Sequence, residues 1–144
     1  MYNVLDICTY VVHYSNKKNY GVSNLRLQKI LYFIQAYFLR IKKEPCFREP
    51  IEAWDFGPVV PKAYHRYKYF GSSEIPDFEE PFNDFDDPTD EKIIRGVVDL
   101  LSKYTTTQLV SMTHRQSPWA GTYKPGANNE ITIKDLQRFA DGKR

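Results

Sequence analysis

The sequence predicts a mainly α fold, a single compact bundle of about six helices around a central apolar helix, with a small two- or three-stranded β element near residues 51–56. Three observations carry this. Apolar residues recur at helical spacing in most segments, which gathers them on one face of a helix. Residues 25–41 are apolar on most sides, the pattern of a helix surrounded by others. One short run, Ile51-Glu52-Ala53-Trp54, alternates as a strand does, between Pro50 and the turn signal Gly57-Pro58. With 144 residues, 42% hydrophobic and 26% charged, the chain is read as one domain over 1–144 that buries a core without staples.

The first helix, 3–16, carries Val4, Leu5, Cys8, Val11 and Val12 on its stripe. A polar turn around Gly21 follows. Ser23 or Asn24 caps a second helix over 24–42, and neither has Glu or Gln three residues on, so no capping box forms. Pro45 and Pro50 then bracket an extended piece leading into 51–54, a strand whose partner the pattern does not name. Pro61 suits the first turn of a third helix, where its missing N–H costs nothing, and Gly71 ends that helix after about Phe70. Residues 72–90 hold an acidic loop with Pro76, Pro81 and Pro88, an excursion pinned to the body by Phe78, Phe82 and Phe85. Asp87-Pro88 starts a fourth helix running to about Tyr104. Thr105 and Gln108 form a capping box that opens a short helix through His114. A turn at Ser117-Pro118-Trp119 and a loop to Asn129 lead to a last helix, capped by Thr132 and running through Leu136 and Phe139 to Gly142.

The formal net charge of +2 hides a pattern, because residues 72–91 carry nine acidic and no basic side chains. Neither flanking part has a dense Lys/Arg run interleaved with aromatics, so nucleic-acid binding is not indicated. Cys8 and Cys46 lie far apart without a partner motif and read as buried or incidental thiols in a reducing compartment. No signal peptide is read at the start, and Arg26, Lys29, Gln35 and Arg40 interrupt the longest apolar stretch, so no membrane span or membrane partner is expected. The expected setting is cytoplasmic.

His13, His65, His114, Cys8 and Cys46 form no ligand motif, so no metal is expected. His114 reads as a helix C-terminal residue that satisfies orphan carbonyls. The chain lacks a GxSxG elbow, a glycine-rich phosphate loop and a calcium-loop spacing in its acidic run, so no catalytic residue and no cofactor is expected. The competing reading is a small enzyme of a phage or mobile element working near Asp55, His65 and His114, or a nucleic-acid-binding regulator. Composition and spacing by themselves reach a protein-binding module, unusually aromatic with 11 Tyr, 9 Phe and 2 Trp.

Four stretches go further: LRLQKILYFIQAYFL (25–39), FREPIEAWDFGPVVPKAYHRYKYFG (47–71), LVSMTHRQSPW (109–119) and ITIKDLQRF (131–139). Together they resemble the Panacea antitoxin domain of SocA-like antitoxins and GepA-like phage-associated proteins. The positions that match its motifs are Leu27, Lys29, Leu31, Tyr32 and Phe33 in the second helix, Glu52, Ala53, Trp54, Gly57, Pro58 and Val59 in the turn, and Thr113, His114, Pro118 and Trp119 in the last corner. The resemblance implies a non-enzymatic antitoxin, on mobile elements or prophages, that neutralises a cognate toxin from an adjacent gene by direct protein contact. For the SocA-like branch it also implies delivery of that toxin to a ClpXP-type protease. Partner contacts are expected from exposed Tyr64, Tyr67, Lys68 and Trp119, and from Phe82 and Phe85 in the acidic loop. Trp54 is expected to pack inward and Asp55 to serve the turn.

Overall fold

A computed structural model describes residues 1–143. Helix α1 (Val4–Lys17) starts where the Asn3 side chain accepts the Leu5 N–H, and α2 (Asn24–Lys42) where Ser23 Oγ accepts that of Arg26. Thirteen of the nineteen residues of α2 are buried, which makes it the axis of the bundle as its apolar pattern predicts. Strand β1 (Ile51–Trp54) pairs antiparallel with β2 (Gly57–Val59), and then comes α3 (Pro61–Tyr67) with a 3-10 turn over Lys68–Phe70. The second half of the described chain supplies α4 (Pro88–Leu101), α5 (Thr106–His114), α6 (Ser117–Ala120), β3 (Glu130–Ile131) and α7 (Ile133–Ala140). Helices α1, α3, α4, α5 and α7 all pack on α2.

The differences from expectation are local. The Pro61 helix gives way to the 3-10 turn after Tyr67, and α4 stops at Leu101 rather than near Tyr104. The turn at Ser117 is itself one helical turn, with Pro118 in its opening positions. The strand partners are now placed: the sheet order is β2-β1-β3, with Ala53 opposite Pro58 and Ile51 opposite Ile131. Only tertiary closure creates the two-residue β3, where Ala53 N donates to Asn129 O at 2.8 Å. The capping box of α5 and the Thr132 cap of α7 form as the residues dictate.

A helix buried on most sides must satisfy whatever polar groups it carries. Gln35 donates to Phe47 O at 2.7 Å and accepts from Cys46 N at 2.7 Å and Phe47 N at 3.2 Å. Two turns earlier, Gln28 accepts from Val60 N at 2.9 Å and donates to Asn24 Oδ1, while Asn24 donates to Tyr64 O. These amides serve backbone of the 46–47 segment, of Val60 ahead of α3 and of Tyr64 within it, and so fix those segments against α2.

The acidic excursion between the 3-10 turn and α4 is held by rings and by its own charges. Phe82 and Phe85 meet Tyr2 edge-on, with ring centroids at 5.8 and 5.4 Å. Asp90 accepts from Tyr2 Oη at 2.5 Å, Glu91 from Tyr10 Oη at 2.8 Å, and Asp99 from Tyr14 Oη at 2.9 Å. Burial, followed by the neighbouring carboxylate, raises the Tyr2 and Tyr10 hydroxyls above the usual tyrosine range, which keeps them protonated donors. Five of the nine acids in 72–91 are engaged in this way: Asp77 by Asn16 and His13, Glu79 by Arg66 and Tyr67, Asp87 by Lys42, Asp90 by Tyr2 and Lys42, and Glu91 by Tyr10.

Gln35→Leu strands two buried N–H groups and a carbonyl, so unfolding stability in urea should fall by about 3 kcal/mol with an unchanged m-value.

Candidate functional site

The family-like positions converge on the hairpin made by β1 and β2. On β1, the side chains of Glu52 and Trp54 share a face, and Trp54 Nε1 donates to Glu52 Oε1 at 2.9 Å. The Trp54 ring is half-buried and meets Tyr64 of α3 at 5.0 Å, so it packs against that helix while walling an opening. Gly57 has a φ of 107°, and a Cβ there would lie 2.8 Å from both Lys29 Cε and Thr113 Oγ1. Glycine is required on both counts: the backbone conformation disfavours other residues, and two side chains occupy the space.

Lys29 is the unusual member of this cluster. It is fully buried, and its ammonium donates to Pro58 O at 2.9 Å. Burial lowers its pKa from 10.5 to about 7, because the charged form loses hydration that one carbonyl does not replace. One helical turn on, buried Tyr32 donates to Gln116 Oε1 at 2.8 Å, tying α2 to the α5–α6 corner. Leu27 of the same helix is buried as well.

The last corner grips the hairpin from the other side. The Trp119 ring stacks between His114 at 4.0 Å and Tyr123 at 4.5 Å, and its Nε1 donates to Trp54 O at 2.7 Å. His114 Nε2 lies 3.1 Å from Asp55 O, where it donates, and the Tyr123 hydroxyl donates to the Asp55 carboxylate. His114 was expected to serve its own helix end; its ring instead serves the hairpin, because the chain folds Asp55 O against it. Thr113 is buried and donates to Val110 O, and Pro118 is buried at the start of α6. Asp55 serves the turn, as expected.

Asp55, His65 and His114 do not share a hydrogen-bonded constellation: the Asp55 carboxylate faces Tyr123, His114 faces a backbone carbonyl, and His65 lies exposed against the Tyr64 ring. Among the described residues, no three His, Cys, Asp or Glu side chains group to hold a metal ion, and no helix is long and apolar enough to cross a membrane.

Between the hairpin, α3 and the start of α2 lies a groove of about 470 Å³, lined by Leu25, Trp54, Phe56, Tyr64 and Lys68 among others. Phe56 at the hairpin tip is 67% exposed. Of the expected surface contacts, the groove gathers Tyr64 and Lys68. Tyr67 is a correction: it is 1% exposed, with its hydroxyl donating to Glu79, because the α3 face that carries it packs on α1. Phe82 and Phe85 are half-buried and pack against the core, and Trp119 is half-buried in the ring stack. Sequence reasoning missed Gln28, Gln35 and Tyr123. The two glutamines lie seven residues apart on one helical stripe, and Tyr123 follows Trp119 by four, so spacing was the available signal.

The structure is a mainly helical body with a hairpin clamped from both sides. The sequence profile described as "Antitoxin SocA-like, Panacea domain" matches residues 27–120. Antitoxin SocA of Caulobacter vibrioides (strain NA1000 / CB15N) is 33% identical over 137 residues, an alignment covering 82% of this chain and 73% of that protein. No solved structure matches the chain. The chain belongs to the SocA-like Panacea antitoxin family.

Two outcomes are expected at the clamp. Gly57→Ala should cost about 2 kcal/mol or more in urea unfolding, since strain and a clash act together. For Lys29, the unfolded chain holds one more proton than the folded chain between the lowered pKa of about 7 and the ordinary 10.5. Stability should therefore rise with pH across that window by about 1.4 kcal/mol per unit. Lys29→Met should remove this rise, as seen by comparing the two chains at pH 7 and pH 9.

Proposed function

We propose that the protein is an antitoxin that neutralises a cognate toxin, encoded by an adjacent gene, through direct protein contact. Family membership across residues 27–120 is the observation that carries this reading. The packing of α1 and α7, which lie outside that span, onto α2 supports treating residues 1–144 as one functional unit. The geometry divides the labour. Motif residues such as Lys29, Gly57, Thr113 and Trp119 are occupied in holding the hairpin, which leaves recognition to side chains around it. The groove carrying Tyr64, Lys68 and exposed Phe56 is the surface we assign to the toxin, since aromatic anchors beside an exposed cation suit a protein partner. The exposed acids Glu80, Asp84 and Asp86 steer a basic toxin surface. A second step we propose, from the resemblance to SocA-like antitoxins alone, is delivery of the bound toxin to a ClpXP-type protease.

Co-expression tests the reading. The neighbouring gene product should arrest growth alone, and this chain should restore growth and co-purify with it. A harmless neighbour, or a toxic one left unrescued, would count against it. Tyr64→Ala with Lys68→Glu should weaken co-purification by about tenfold while leaving the Tm near wild type.

A further inference from the structure

A second opening shares no lining residue with the hairpin groove. A cavity of about 570 Å³ lies among α2, α4, α5 and α7, walled by Phe33, Tyr37, Arg40, Leu100, Met112 and Phe139 among others. A smaller one of about 170 Å³ adjoins it, because Tyr37 and Leu100 border both, and it reaches Ile41, Ile93 and Gly96. From Phe33 to Ile41 the α2 wall runs for about 12 Å, roughly two turns of helix. Its apolar rim is open to solvent: Ile41 is 54% exposed and Leu100 37%.

Gly96 stands inside α4, where glycine weakens a helix relative to alanine. Nothing within the chain requires it: its φ is not positive, and a Cβ there would meet no atom within 4 Å. A bare position beside an apolar groove does allow a second backbone to approach closely.

The rim is basic. Arg40 walls the cavity, Lys92 lies one helical turn before Gly96 on α4, and Lys103 follows two residues after that helix ends. All three are exposed, and none has a side-chain hydrogen bond or ion pair among the described residues. The acids nearby are already taken, Asp99 by Tyr14 and Tyr20, and Asp141 by Lys43. An apolar floor with a basic rim is complementary to a helix with apolar residues on one face and carboxylates along its flanks.

We infer that the α2–α4 groove docks an acidic amphipathic helix of the partner protein, with its backbone passing over Gly96. That the helix belongs to the toxin rests on the antitoxin reading above. The probe is a labelled helical peptide about three turns long, with leucines along one face and glutamates on the flanks, beside a counterpart with lysines for glutamates. The glutamate peptide should bind the full chain saturably, and the lysine peptide should not. Gly96→Gln, which fills the open space while favouring the helix, should weaken binding by about tenfold or more with the Tm at or above wild type. Arg40→Glu with Lys103→Glu should do the same with an unchanged circular dichroism spectrum. Absence of binding, equal binding of both peptides, or full affinity in Gly96→Gln would overturn the docking site. Growth rescue is scored separately. If the wild-type chain fails to rescue, the antitoxin reading fails, whatever the peptide does. If Gly96→Gln loses the peptide but still binds and neutralises the toxin, the helix is not the toxin's.

Discussion

The structure depends on a helix that is buried nearly all round and yet carries amides and an ammonium. An entirely apolar α2 would collect helices around it but could not hold extended chain, whose N–H and C=O groups need partners once out of water. Gln35 supplies those partners to Cys46 and Phe47, Gln28 to Val60, and Lys29 to Pro58. Each bond is modest in net terms, but the alternative is a buried, unpaired backbone group, and that asymmetry makes the amides hard to replace. The hairpin, the start of α3 and the 46–47 segment are all placed by this one stripe.

Lys29 shows the cost of the arrangement. Its charge is disfavoured where it lies, and the pKa falls to about 7. The same long side chain fills the space that Gly57 leaves empty, so the lysine, the glycine and Thr113 form one packing unit. On the far side, the His114–Trp119–Tyr123 stack closes over Asp55. A scaffold clamped on both faces of a hairpin presents its tip, with Phe56, in a fixed position. Under the proposed antitoxin reading, such pre-placement would lessen the ordering entropy lost on association.

The acidic segment has an internal use that composition does not reveal. A run of carboxylates ordinarily reads as a solvated or partner-facing loop. Here tyrosines at 2 and 10 donate to Asp90 and Glu91, Lys42 and Arg66 take Asp87 and Glu79, and Asn16 and His13 face Asp77, so five of the nine acids of 72–91 are engaged inside the molecule. The aromatic excess and the charge excess are therefore partly one feature: each phenol adds apolar area to the core and offers its hydroxyl to an acid at the core's edge.

Local chemistry was enough to write down most of the helices. Ser23, Asp87, Thr105 and Thr132 cap where their side chains dictate, Pro61 and Pro88 stand in opening turns, and the all-round apolarity of 25–41 marks the axis. These are short-range signals, satisfied by neighbours within a few residues. The alternation at 51–54 likewise announced a strand, and the ordered family-like stretches announced the kinship. What lay beyond the sequence depends on partners distant along the chain. Strand β3 exists only because residues 130–131 come to lie beside β1. Tyr67 is buried because α1 covers its face, and the side on which a helix residue lands is not a local property. The sequence by itself thus determined the helices and the class of protein. Only the tertiary structure decided which polar residues hold the fold and which are left for a partner, since hydrogen bonds between segments 30 to 90 residues apart are made by packing and not by propensity.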